Sequence, residues 1–272
     1  MTAQRIGLVA WHVFKENVRD RVLYGIGAFA VLLVAATLLI GQITAGEDVK
    51  IIKDFGLAII ELAGVLMTIF VGVGLVAREI DRRSIFGLLA KPLPRWEFIV
   101  GKYAGLVLTI AVNVAAMTVA LYLMLAWLHW QALPAQRAAW DAPAVDPRLL
   151  LVVVMVTAEL ALLTAVALFF STFSSSALVS VAFTAGVFVT GLLSTELRRF
   201  GDVVDVSSAV ARFVSIIGWV VPAFSAFDIK AQVVHGLPVP AGFLAYTLAY
   251  GALYVVAVLI AAITAFSRRE FV

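Results

Sequence analysis

Six runs of roughly 20 apolar residues occupy most of this chain, at 22–45, 55–77, 101–128, 149–171, 177–195 and 242–266. An α-helix rises about 1.5 Å per residue, so a run of this length crosses a hydrocarbon core about 30 Å thick. Inside lipid, backbone polar groups must be satisfied within the protein, which leaves helices as the solution for long uninterrupted apolar segments. The expected fold class is therefore an all-α membrane protein with six transmembrane helices in a single domain, residues 1–272. Composition agrees, with 63% hydrophobic and only 14% charged residues, against about half and about a quarter in soluble domains. Charges continue to Arg21, and the first apolar run exceeds the roughly 7–15 residues of a cleavable signal core, so it reads as a retained span.

Charge placement orients the bundle. With a cytoplasmic N-terminus, twelve of the 20 Lys and Arg residues fall in inside segments beside six acids, and eight fall in outside segments beside nine acids. The positive-inside rule then puts both termini in the cytoplasm, and the cytoplasmic (inner) membrane is the expected location. The same asymmetry explains the net charge of +3 without nucleic acid as a partner.

Two segments beside the spans carry structure of their own. In the leader, residues 1–21, Ile6, Val9, Ala10, Val13 and Phe14 recur at helical spacing with Arg5, His12, Lys15, Glu16 and Arg19 mostly opposite. This spacing predicts an amphipathic helix lying in the inner interface. In the outer segment, residues 196–241, FVSIIGWVVPAFSAF (213–227) is apolar but about 15 residues long, and Pro222 interrupts it. It is expected to form a re-entrant or interfacial helix, with a seventh span as the competing arrangement.

The segment between the second and third spans is polar out of proportion to its task. Residues 78–102 hold Arg78, Arg82, Arg83, Arg95, Lys91, Lys102, Glu79, Asp81, Glu97, Pro92 and Pro94, although a handful of residues joins two helices. Asp81 to Lys91 can form a short helix with Ile85, Leu88 and Leu89 on one side. Pro92 and Pro94 stop it, so an apolar knob ringed by charge faces the cytoplasm. A basic loop held to anionic headgroups explains the arginines but not the leucines beside the proline stop.

Glu79, Ser84, Leu88, Leu89, Pro92, Arg95, Gly101 and Lys102 form a pattern that resembles the coupling region (78–98) of ATP-binding-cassette exporter permeases of the type-two class. The leader, the six spans, the serine-rich turn STFSSS (171–176) and the long outer segment extend the likeness over nearly the whole chain. Arg82 and Arg83 depart from it, standing where many relatives carry a glycine. The resemblance implies a permease dimer, each copy docking its coupling helix, with Glu79, Arg82, Arg83, Ser84, Leu88, Leu89, Pro92 and Arg95 as coupling residues, into a separate cytoplasmic ATPase. ATP and Mg belong to that partner, because this chain has no G-x-x-x-x-G-K-[ST] phosphate loop; Gly101-Lys102 is followed by Tyr103.

Three polar residues inside spans are candidates for a substrate path: Glu159 near the centre of the fourth, Glu61 toward the outer end of the second, and Asn113 in the third. For Glu159 the alternative is a protonated carboxyl bonding a neighbouring helix, and for Asn113 an interhelical hydrogen bond. Lys53 is not placed closely enough by sequence to pair with Glu61. Gly101 and Gly105 make one G-x-x-x-G, a sign of close packing or of nothing. Trp127, Trp130 and Trp140 read as an outer aromatic belt. His12, His129 and His235 are scattered over both faces, so no metal site is expected. With no cysteine, disulfides and thiolate chemistry are excluded. No catalytic site is expected on this chain. A secondary transporter using Glu159 and Glu61 would show inverted repeats and broken helices in matching halves, and neither is visible. A non-transporting membrane scaffold stays open. Apolar walls with few embedded charges lean toward a lipid-like or amphipathic cargo.

Overall fold

The computed structural model describes residues 2–17, 28–29, 31–32, 35, 48–81, 94–138, 140, 142–174, 176–203 and 207–268. The described residues are helical and contain no strand. The longer helices are α1 (Thr2–Asn17), α2 (Asp48–Asp81), α3 (Arg95–Gln131), α4 (Leu149–Phe173), α5 (Ala177–Leu192), α6 (Ser208–Val220) and α7 (Ala241–Arg268). Four stretches are long and apolar enough to cross a membrane, in α2, α3, α4 and α7, or five if the bent pair 208–220 and 224–234 is one span. The expected first span lies mostly outside the described residues. Phe29 belongs to its described part and is buried in the main core.

α4 is the axis of the bundle. It is apolar on every face, as a helix surrounded by others must be, and it packs against α2, α3, α5 and α7. Leu160, Leu162, Leu163, Ala165, Ala167 and Leu168 are all sealed from solvent. Leu160 fills the space left by Gly64 of α2. Buried threonines spend their hydroxyls on their own helices: Thr68 donates to the Gly64 carbonyl, Thr109 to Gly105 and Thr164 to Leu160, at 2.6–2.8 Å. They therefore satisfy themselves without crossing between helices.

Boundaries differ from the sequence reading where packing intervenes. α2 begins at Asp48, about two turns before the expected start at 55, because Val49 and Ile52 are core residues and Lys53 is buried with its ammonium on the Pro143 carbonyl at 2.7 Å. α3 runs 37 residues, about 55 Å, so it outreaches a hydrocarbon core by several turns. Pro94 precedes its first turn and Pro134 follows its end.

The fifth apolar run, expected helical over 177–195, breaks at Leu193 and restarts as Ser194–Arg198. Gly191 explains the position of the break. The Phe224 ring and the Pro222 carbonyl rest directly on it, and a Cβ there would overlap both. Phe224 and Phe227 come from a 3₁₀ turn that follows α6 after a 44° bend at the expected proline. Both rings are fully buried, the second against Gly251 of α7. The turn is held further by Tyr250, whose hydroxyl accepts the Ala223 N–H at 3.0 Å, and by Tyr254, whose hydroxyl donates to the Val220 carbonyl.

α1 forms over nearly the whole leader, but protein covers its apolar stripe. Val9, Ala10 and Val13 lie on α3 at Gly101 and Gly105, and Val13 is buried with Leu106 and Val71. Leu8 and Trp11, on the other side of α1, are exposed.

Candidate functional site

Two constructions stand out, one at each end of the bundle. The first surrounds the start of α3, immediately after the polar segment. Glu79 lies in the last turns of α2; Arg82, Arg83, Ser84, Leu88, Leu89 and Pro92 fall outside the described residues. Arg95 is described, and it reaches across to the end of α7. Its guanidinium donates to the Ser267 carbonyl at 2.9 Å and the Phe266 carbonyl at 3.3 Å. A cation on the last carbonyls of a helix satisfies acceptors that have no intrahelical partner and complements the negative end of the dipole. Phe98, one turn later, stacks on Phe266 with ring centroids 6.1 Å apart. Lys102 is buried, and its ammonium sits 4.5 Å above the Phe98 ring.

Gly101 and Gly105 give this end its third connection. A Cβ on Gly105 would stand 2.6 Å from the Ala10 carbonyl oxygen, and one on Gly101 2.8 Å from the Val9 Cβ. The absence of a side chain at both positions lets α1 lie flush against α3. The first three turns of α3 thus hold α1 on one side and the end of α7 on another. Of the eight motif positions, Gly101 and Lys102 serve packing inside the bundle, and Arg95 joins two helices.

The second construction joins α2, α4 and the segment after the bend. Glu61 of α2 forms an ion pair with Lys230, and both side chains are about 15% exposed. Lys230 also lies 3.6 Å from Asp228, whose side chain is half exposed. The backbone N–H of Lys230 also donates to the Asp228 carboxylate, at 3.1 Å. Glu159 is 2% exposed, yet its carboxylate takes no hydrogen bond from any described residue. Lys53, the cation nearest Glu61 in sequence, is engaged elsewhere, at Pro143.

Asn113 stands apart from this cluster. Its amide donates to the Met67 sulfur of α2 at 2.6 Å, an interhelical link, while its buried Oδ1 has no partner among the described residues. Of the three path candidates, Glu61 is ion-paired with Lys230, Glu159 is buried in α4, and Asn113 links α3 to α2. Sequence reasoning missed Lys230 and Asp228. The available signal was two charges flanking Ile229 in an otherwise apolar stretch. Trp127 and Trp130 are exposed, whereas Trp140 packs against the core and His129. Among the described residues no group of His, Asp and Glu is suited to hold a metal ion.

A helical bundle with four or five apolar helices of membrane-crossing length has the build of a multi-pass membrane protein. Residues 8–271 match the ABC-2 family transporter protein family, and the chain belongs to that family. It is thus the membrane permease component of an ATP-binding-cassette transporter, and permeases of this family generally work with an ATPase of that class. No curated protein sequence matches the chain.

Proposed function

We propose that this chain is the translocating subunit of an ATP-driven exporter, with six spans, both termini in the cytoplasm of a cell whose inner membrane holds it, and a second permease copy beside it. On this reading the coupling region, residues 78–98, docks on a separate cytoplasmic ATPase that binds ATP and Mg, and this chain catalyses nothing. Glu79, Arg82, Arg83, Ser84, Leu88, Leu89 and Pro92 make or frame the contact, while Arg95 passes its movement to α7. The sixteen-residue α5 crosses together with its continuation Ser194–Arg198, and the bent segment around Pro222 enters the bilayer and returns. Lipid and the second copy cover the exposed apolar faces of α5 and α7, among them Leu178, Phe183, Tyr246, Leu253 and Val256.

The observation that carries the proposal is the anchoring of α3. Its first turns follow the polar segment directly and hold both α1 and the end of α7. A displacement of the docking segment is therefore shared by three helices at once. Closure of the ATPase on nucleotide would bias the bundle between two arrangements, the free energy coming from the difference in stability of the two states. Glu159 and Glu61 would line the path opened in this way, with Asn113 on its α2–α3 wall.

The test is affinity purification of the chain from its native membrane, with mass spectrometry of co-purifying proteins, for the native form and for the double variant Leu88→Asp, Leu89→Asp. A soluble ATPase accompanies the native chain and is lost from the variant, because burying a carboxylate in an apolar docking groove costs several kcal/mol, roughly a thousandfold in affinity. An ATPase retained by the variant would remove the docking role from these leucines.

A further inference from the structure

Arg198 stands against the last turn of α6 with most of its hydrogen-bonding capacity unspent. Its Nε donates to the Gly218 carbonyl at 2.8 Å, and its guanidinium lies 4.4 Å from the centroid of the Trp219 ring. The Gly218 carbonyl is among the last four of the helix, so a cation there complements the negative end of the dipole. That bond uses one N–H of five. No described residue accepts from the other four, and no described carboxylate pairs with this guanidinium, Glu196 two positions earlier included.

The surface around it is apolar. Trp219 and Val220 of α6 and Leu253 of α7 are largely exposed, and the Tyr254 hydroxyl donates to the Val220 carbonyl, so the two helices meet at this turn. Tyr254 is thirteen residues from Ala241 and fourteen from Arg268, about 20 Å from either end of α7. With α7 as a span, this level lies within the hydrocarbon. An arginine there is costly without an anion, and it draws headgroups toward itself by thinning the bilayer.

We propose that Arg198 holds the phosphate of an anionic phospholipid from the outer leaflet, whose acyl chains lie over Trp219, Val220 and Leu253. Nη1 and Nη2 form a planar fork suited to two phosphate oxygens, and the Trp219 ring with the Gly218 carbonyl fixes the plane of that fork. A zwitterionic headgroup fits less well, because no described carboxylate stands beside Arg198 to receive its ammonium. The bound lipid thereby helps to seat the bent segment around Pro222 in the bilayer. The inference rests on α7 being a span, as proposed above, and makes no use of the ATPase or of Glu159.

The experiment measures thermal unfolding of the purified permease in a neutral maltoside detergent against increasing dihexanoyl-phosphatidylglycerol. Dihexanoyl-phosphatidylcholine is the zwitterionic control and inorganic phosphate the lipid-free one. A ligand that binds the folded state raises Tm once its concentration passes Kd. Phosphatidylglycerol is expected to raise the Tm of the native chain above the phosphatidylcholine curve, and inorganic phosphate to leave it unchanged. Arg198→Gln is expected to need about tenfold more phosphatidylglycerol for the same rise, and Trp219→Ala, which frees the guanidinium plane, about threefold more. Trp219 is 67% exposed, so Trp219→Ala folds even if Arg198→Gln does not, and it decides the matter alone in that case. Arg137, exposed and bonded to the Trp130 and Ala132 carbonyls, supplies the control: Arg137→Gln should respond as the native chain does. Equal curves for the two lipids, an equal rise with inorganic phosphate, a native-like response in either site variant, or an equal loss in Arg137→Gln would each overturn the proposal. The measurement reads no sidedness and needs no ATPase, so its failure is distinct from a failure of the α7 span, which thiol labelling from each side of the membrane reports.

Discussion

Gly105→Leu is expected to lift α1 off the bundle and to uncouple the permease from its ATPase. The first added carbon already meets the Ala10 carbonyl at 2.6 Å and the Val13 Cβ at 2.8 Å. One of these neighbours is backbone, so no rotamer change relieves the overlap; the two helices must separate. Overpacking of this kind costs about 3 kcal/mol, most of the stability a short docked helix can have. Arg5 and Lys15 already face solvent on α1, but trypsin needs an unwound backbone; α1 released from α3 can unfold locally, and cleavage at these two residues is the direct readout. Coupled ATP hydrolysis should fall with it, because α1 is one of the two elements held by the start of α3. Gly7→Leu, in the same helix, is the matched control. Nothing lies within 4 Å of a Cβ at that position, so neither cleavage nor hydrolysis should change.

The second large effect is expected at the other end. Gly191→Leu places a branched side chain where the Pro222 carbonyl and the Phe224 ring now sit. Phe224 is fully buried where its own turn meets α4 and α5, and its expulsion carries the bent segment with it. A loss of about 3 kcal/mol or more follows from lost burial together with strain, and with it a fall in Tm of about 5 °C or more. Gly186→Leu, one turn and a half earlier on α5 with open space around it, should leave Tm near the native value. The two glycine pairs separate the ends of the molecule: Gly105→Leu acts on coupling, whereas Gly191→Leu acts on the seating of the bent segment. Were Gly191→Leu to leave Tm unchanged, the packing of the Phe224 turn would carry none of the stability assigned to it.

What the sequence disclosed follows the range of the forces involved. Span-length apolar runs are local, so α4 and α7 were legible to within a turn, whereas α3 starts at Arg95, nearly two turns before the expected 101. The break at Pro222 was legible because proline acts on its own backbone. The end of α5 was not, because Leu192 is apolar like the residues before it, and what stops the helix there is an aromatic ring arriving from some 30 positions away. Gly101 and Gly105 announced a close approach without naming the partner, and α1, the expected interfacial helix, turned out to fill it. The ion pair of Glu61 with Lys230 joins residues 169 apart in sequence, so no periodicity records it. The family resemblance implies a coupling role for Arg95, and its carbonyl acceptors on α7, 171 and 172 residues away, are too distant in sequence for any local pattern to record. Its position beside the polar segment was visible; its internal bond was not.

Site-specific cross-linking tests the central claim most directly. The chain has no cysteine, so Leu88→Cys and Trp140→Cys each place one unique thiol, on opposite sides of the membrane in the proposed topology. With a short thiol-to-amine reagent in native membranes, Leu88→Cys should give an adduct containing a soluble ATPase, and Trp140→Cys should give none. An ATPase adduct at position 140 and not at 88 would invert the topology, and no ATPase adduct at either position would contradict the coupling account itself.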